Sequence, residues 1–290
     1  MPKTILVTGG AGYIGSACVD LLHQTGHKLV VLDNLSSGQP DKLPKEVDFI
    51  SGDITNILEI KSVCQKYQFD TVIHCAAKKA VGESELDPSL YFYNNVVGSL
   101  NVLATMEEFQ IPQIIFSSTA AVYEPSPEGL PVEEDATLNP VNVYGRTKLM
   151  VEAMIKDYAR LGKIKSYTIF RYFNVAGDAG LNYQERNAQN VFPLLARAVT
   201  TEGEFLIFGT DFDTPDGTGV SDYMHLLDLV EAHSLALEKE INGVFNLGTG
   251  KGYSVRELVE AFSKVAGKDM NARESCQEAW RPSDTDGGCF

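Results

Sequence analysis

Residues 5–15 read ILVTGGAGYIG. A short β-branched run leads straight into Gly9, Gly10, Gly12 and Gly15, and a helical pattern follows. Glycines at these spacings permit a tight turn, let backbone N–H groups approach a pyrophosphate, and allow close packing of helix on strand. A lone glycine turn is common, so context decides. The next apolar run, KLVVLDN, ends in Asp33, eighteen residues after Gly15. An acidic residue there accepts hydrogen bonds from an adenosine ribose and repels a 2′-phosphate, and neither Asn34 nor Leu35 brings an Arg to offset it. The combination points to NAD rather than NADP. Asp53, closing FISGDI, is open to two readings: contact with the adenine amino group, or capping of the helix near Asn56.

Outward from this motif, the runs TILVTG, KLVVLDN, VDFISGD, TVIHCA, QIIFSS and SYTIFRYF alternate with helical patterns over 14–25, 57–67, 88–109 and 143–161. Strands without strict polar alternation are covered on both faces, and the rhythm is that of an α/β Rossmann fold: a doubly wound parallel sheet with helices on both sides. The pattern changes after Asn174. A polar stretch, AGDAGLNYQERNAQN, precedes helices near 191–201, 225–239 and 254–266 and a strand at GVFNLGT. We read 1–174 as the cofactor-binding domain carrying the catalytic residues. Residues 175–290 read as a smaller, mixed α/β substrate domain.

The chain has 290 residues, 44% hydrophobic and 22% charged, enough to bury a full core. A formal net charge of −15 opposes binding to nucleic acid or anionic membrane. Five cysteines without CxxC spacing point to a reducing cytoplasm, and the N-terminus has neither a signal-peptide pattern nor a membrane span. The five histidines form no HExxH or Cys/His group, so no metal site is expected, and His74 reads as a sheet residue.

Tyr144 and Lys148 stand four apart in VYGRTKLMVE, on one face at the start of a helix. Such pairs are common on helix surfaces. Here QIIFSST also places Ser117, Ser118 and Thr119 at the carboxyl edge of the sheet, where doubly wound folds bind ligands. A cationic Lys beside the phenol is expected to lower its pKa, letting Tyr144 act as general base and acid on a hydroxyl.

The stretches TGGAGYIGS, VLDNLSSG, GDITN, KAVGES, YNNVVGSLNVL, FSSTAAVY, YGRTKLMVE, RYFNVAG, IFGTDFDTPDGTGVSDYMHLLDL and FNLGTG cover about 1 to 266. On them the chain resembles the extended short-chain dehydrogenase/reductases, and within these the UDP-glucose 4-epimerases. The resemblance implies interconversion of UDP-galactose and UDP-glucose through a 4-keto intermediate, with tightly held NAD, in galactose metabolism. It makes Tyr144 the acid/base, Lys148 its electrostatic partner and ribose anchor, and Thr119 the hydroxyl that aligns the sugar. It assigns Gly9, Gly12, Tyr13, Ile14 and Gly15 to the pyrophosphate, Asp33, Asn34, Leu35, Ser36, Ser37 and Gly38 to the adenosine, and Asp53 and Ile54 to the adenine. Cys75, Ala76, Ala77 and Lys79 would line the cofactor, with Asn94 and Phe173 on its nicotinamide side. Asn174, Asn190, Leu206, Ile207 and Phe208 would face the UDP-sugar. It further implies a homodimer packed through helices 88–109 and 143–161.

Several residues depart from the family pattern. Ser221 stands where an Arg usually pairs with the diphosphate, a loss of about 1.5–3 kcal/mol of binding. Cys75 replaces a common aromatic, Glu124 a usual Gly and Val143 a usual Pro. From Cys276 the tail CQEAWRPSDTDGGCF is atypical, and a one-nucleotide shift of permissible codons restores a motif like that of the family. We therefore expect a frameshift at or just before Cys276, with weak or absent activity for the chain as written and the family's activity for a frame-corrected one.

Two other functions remain open at this point. One is C4 epimerisation of another UDP-sugar, carrying N-acetylhexosamine, glucuronate or pentose. The other is NAD binding without catalysis. A 4,6-dehydratase would need an Asp-Glu pair after Thr119, where Ala120 and Ala121 stand.

Overall fold

In the computed structural model, which describes residues 1–125, 131–184 and 190–275, the apolar runs form β1 (Thr4–Thr8), β2 (Lys28–Asp33), β3 (Asp48–Ser51), β4 (Thr71–His74), β5 (Gln113–Thr119) and β6 (Ser166–Tyr172). All pair in parallel, in the order β6-β5-β4-β1-β2-β3. The chain winds outward through β2 and β3, then returns to the far side of β1 with β4. That reversal opens a crevice at the carboxyl ends of β1 and β4.

Alternate residues along each strand feed two cores. Ile5, Val7, Val31, Ile73, Ile115 and Phe170 pack on one face with α1 (Tyr13–Gln24), while Leu6, Val30, Leu32, Val72, Ile114, Phe116 and Ile169 pack on the other. The second face is covered by α2 (Ile57–Cys64), α5 (Gly98–Glu108) and α6 (Val143–Arg160), which contribute Ile60 and Val63, Val102 and Met106, and Val151 and Ile155. The helix expected over 88–109 is built as α4 (Pro88–Tyr91), a π turn (Phe92–Val97) and α5. A helix not anticipated in KAVGES, α3 (Val81–Leu86), lies between β4 and α4.

After β6 come β7 (Asn174–Ala176), α7 (Val191–Thr201), β8 (Phe205–Phe208), β9 (Val220–His225) and α8 (Leu226–Lys239). The strand GVFNL, read in sequence with the second domain, is β10 (Gly243–Leu247), and it joins the large sheet parallel to β6. The reason is that α8 carries Leu229, Val230, Ala236 and Leu237 into the same core as α1, serving as the crossover that returns the chain to the sheet. The chain then adds β11 (Gly252–Ser254), α9 (Val255–Ala266) and β12 (Ala272–Ser275). Sheets β11-β9-β7 and β12-β8, with α7 and α9, enclose a separate cluster of Leu195, Ala198, Phe205, Ile207 and Leu258. The atypical tail from Cys276 lies outside the described residues. No helix among the described residues is long and apolar enough to cross a membrane.

Two buried histidines are neutral members of this core. His74 bonds through Nδ1 to Thr8 Oγ1 at 2.7 Å and through Nε2 to Ser99 Oγ at 2.8 Å. His233 bonds through Nε2 to the Tyr172 hydroxyl at 2.7 Å and through Nδ1 to the Leu229 carbonyl at 2.9 Å. Burial pushes His74 down to about 3 and His233 down to about 4. The unfolded chain therefore binds more protons below the ordinary histidine pKa of about 6.5, and stability present above it is lost as pH falls. The urea midpoint should decline from about pH 7 to about pH 4.5, and the decline should be shallower in His233→Gln. A parallel decline in parent and variant would refute this.

Candidate functional site

The loop between β1 and α1 makes two close approaches that only glycine allows. Gly9 has φ +71°, and a β-carbon there would lie 2.6 Å from the Ala76 backbone nitrogen. A β-carbon on Gly15 would strike the Gly9 carbonyl oxygen and come within 2.7 Å of Gly10 Cα. Gly12, which precedes α1, gives no side-chain cap, so the first helical N–H groups have no side-chain partner from that position.

Beside this loop is a cleft of about 820 Å³ at the carboxyl ends of β1 to β5. Of the residues expected to bind cofactor, Gly9, Gly12, Tyr13, Ile14, Gly15, Asp33, Asn34, Leu35, Ser36, Ser37, Gly38, Ile54, Cys75, Ala76, Ala77, Lys79 and Asn94 line it, as does Asn190. The Asp33 carboxylate accepts from Ala11 N at 3.0 Å and Leu35 N at 2.8 Å. Burial raises its pKa, and the two amides pull it back. It thereby ties the glycine loop to the segment after β2.

Asp53 is not in the cleft wall. It accepts from Asn34 Nδ2 at 2.8 Å and from Thr55 N and Oγ1 at 2.8 and 2.7 Å, while Asn56 caps α2 through Leu58 N at 3.2 Å.

The second group of residues is assembled by α6. Asn142 caps it by accepting from Gly145 N at 2.7 Å, which sets Tyr144 in the first turn. Tyr144 N donates to Ser84 Oγ on α3 at 3.2 Å, and its phenol is hydrogen-bonded to the Thr119 hydroxyl. One turn on, Lys148 Nζ donates to the Ser117 carbonyl at 2.7 Å and lies 4.8 Å from the Phe116 ring centroid. Ser117 lines the cleft, and its hydroxyl donates to Cys75 Sγ at 3.2 Å. Thr119, Tyr144 and Lys148 are not cleft walls themselves. They adjoin it through Ser117.

The expected lowering of the tyrosine pKa is not what this geometry gives. Burial pushes Tyr144 up to about 12, and the Thr119 hydrogen bond opposes it. Lys148 is directed at Ser117, and burial pushes its own pKa down to about 8. Desolvation therefore outweighs the charge effect that spacing alone suggests.

Phe173, Asn174, Leu206, Ile207 and Phe208 are likewise away from the cleft wall. Phe173 N donates to the Leu247 carbonyl at 3.2 Å, and Asn174 pairs with Tyr223 across β7 and β9. Ile207 is in the smaller core, and Phe208 is 47% exposed. Ser221, on β9, pairs with Tyr253.

Lys78, within the segment from Cys75 to Lys79 expected at the cofactor, lines the cleft too, whereas sequence reasoning missed the α3 residues Val81, Gly82 and Glu83, and Tyr183. Asn95 was passed over too. It accepts from Lys78 N at 2.8 Å and donates to Lys78 O and Thr147 Oγ1 at 3.0 Å each, pinning the cleft wall to α6. It sits in a π turn, which the helical pattern over 88–109 does not announce, and such turns recur at functional sites. Tyr183 stacks 5.7 Å from Tyr13 and donates to the Ser37 carbonyl at 3.2 Å, across a loop with no periodic signal.

The family model described as NAD dependent epimerase/dehydratase matches residues 5–248. The UDP-glucose 4-epimerase of Bacillus subtilis (strain 168) is 42% identical over 286 residues, spanning 93% of this chain and 84% of that protein. Among solved structures, the Brucella ovis UDP-glucose 4-epimerase in complex with NAD aligns with TM-score 0.88 at 38% identity, over 97% of this chain and 88% of the other. The Bifidobacterium longum UDP-glucose 4-epimerase in complex with NAD+ and UDP aligns with TM-score 0.88 at 35% identity, over the same shares. With its parallel sheet, glycine loop and Tyr144/Lys148 pair, the chain belongs to the NAD dependent epimerase/dehydratase family.

Proposed function

We propose that the protein interconverts UDP-galactose and UDP-glucose by inverting C4 through a 4-keto intermediate, with NAD held in the cleft, as a step of galactose metabolism in the reducing cytoplasm. The observation that carries this reading is the junction at Ser117: one residue lines the glycine-walled cleft and receives Lys148, with Tyr144 and Thr119 beside it. The relatives named above support the substrate class.

Bound NAD supplies a hydride acceptor and donor for C4. The glycine loop would hold the pyrophosphate and Asp33 the ribose, with Lys79 in the same cleft lining. Tyr144, as the phenolate that the Thr119 interaction favours against burial, would take the proton of the C4 hydroxyl and return it after the sugar has turned. Thr119 fixes the phenol by its hydrogen bond. Lys148, held by Ser117, places a positive charge beneath the reacting edge. Asn174, Asn190 and the strand containing Leu206, Ile207 and Phe208 form the UDP-sugar side, within a substrate domain drawn from residues 175–290.

Purified protein should convert UDP-galactose to UDP-glucose and release NAD, not NADP, on denaturation. Tyr144→Phe should lower kcat roughly 10²–10⁴-fold with NAD still bound. NAD release without turnover of any UDP-sugar would leave only a cofactor-binding protein.

We also propose a homodimer. Phe92, Tyr93, Val97 and Leu100 on the Pro88–Glu108 run and Met150 on α6 are exposed apolar residues, 37–58% accessible, on adjoining helices. Light scattering should give twice the chain mass for the parent and the chain mass for Leu100→Glu/Met150→Glu. A monomeric parent at micromolar concentration contradicts the dimer.

A further inference from the structure

Glu152 lies one turn beyond Lys148 on α6, is fully buried, and has no part in the chemistry described so far. Its Oε1 accepts from Ser118 Oγ at 2.6 Å and from Arg171 Nε at 3.0 Å. Its Oε2 accepts from Arg171 Nη2 at 2.7 Å and from Lys156 Nζ at 3.4 Å. Arg171, 1% exposed, also donates to the Tyr123 hydroxyl at 2.8 Å and the Glu134 carbonyl at 3.1 Å. A buried ion pair is weak support for stability by itself, because desolvating both charges offsets most of their attraction. Its place in the fold suggests another use. Ser118 stands between Ser117, whose carbonyl receives Lys148, and Thr119, whose hydroxyl meets Tyr144.

We infer that Glu152 is a positioning residue: through Ser118 it fixes the end of β5 that holds Lys148 and Tyr144, and from one turn along α6 its carboxylate acts on the Lys148 charge. The inference rests on the roles proposed above for Tyr144 and Lys148. Burial drives Lys148 towards the neutral amine, and Cys75 and Glu152 oppose it. Of the other titratable groups around α6, Glu85 on α3 accepts from Val143 N at 2.7 Å at the start of the helix, and Asp157 is paired with Arg160 near its end. His74 at the end of β4 is held neutral, and burial raises Tyr144 and Tyr172. Arg171 on β6 is cationic and bound to Glu152 itself. Cys75, whose pKa is lowered by the Cys18 and Ser117 hydrogen bonds and by Lys148 against burial, acts on Lys148 in the same sense as Glu152 and more strongly. Glu152 is the carboxylate of the set that the Ser118 and Arg171 hydrogen bonds hold in a fixed place.

The test uses the full chain with 15N-labelled lysine, following the Lys148 Nζ resonance against pH, assigned with Lys148→Met, alongside the pH dependence of kcat for UDP-galactose. Glu152→Gln should move the Lys148 titration and the alkaline limb of kcat to lower pH, and Glu152→Asp should restore both in part. If Glu152→Gln fails to fold, Glu152→Gln/Arg171→Gln removes both charges together and is read in the same way. Ser118→Ala should leave the titration in place, lower kcat about 10–100-fold through misplacement, and leave KM within about twofold. A Lys148 titration unmoved in the neutralised variants overturns the inference. A parent that turns over no UDP-sugar but whose Lys148 titration shifts in Glu152→Gln would sink the proposed function and leave the positioning role standing.

Discussion

A buried ammonium must find an oxygen, and Lys148 finds the backbone carbonyl of Ser117 at 2.7 Å. That single bond joins the start of α6 to the carboxyl end of β5, and much else follows from it. Tyr144, one turn earlier, is brought to Thr119, and Ser117 is left facing both the cleft and Cys75. Remove the clamp and the helix keeps its apolar face against Phe116, Ile114 and Ile169, with the Asn95–Thr147, Ser84–Tyr144 and Ser118–Glu152 bonds left to set its rotation at the site.

The cleft side obeys a different constraint, which is space. The chain reverses between β1 and β4, and the glycine loop comes so near the Ala76 backbone that no side chain fits. Asp33 then uses both carboxylate oxygens to lash that loop to the turn after β2. One side of the cleft is thus backbone held by close approach, and α6 stands behind it, adjoining the cleft at Ser117 of β5. Asn95 bridges the two through Lys78 and Thr147.

Much of this was legible in the sequence because it is local. Glycine spacing with Asp33 at the end of the next strand is a pattern within one βαβ unit, and the apolar period of α1, α6 and α7 gave bounds within about one residue. What escaped was decided across the fold. GVFNL carries no sign of which sheet it will join, and only α8 packing against α1 sends it beside β6. The short strands β7, β9 and β11 exist by mutual pairing alone. Tyr183 reaches the cleft from a loop without period, and Asp53 holds a turn with Thr55 while Asn56, not Asp53, caps α2. Tyr144 departs from expectation because spacing reports the neighbouring Lys but not the depth of burial that outweighs it.

The central claim is that one closed site removes the C4 hydrogen of a UDP-sugar and returns it to the same carbon on the other face. The most direct measurement is the fate of deuterium when UDP-[4-²H]galactose is converted in ordinary water. The account predicts UDP-glucose that retains the label at C4. Product carrying solvent hydrogen at C4 would contradict it.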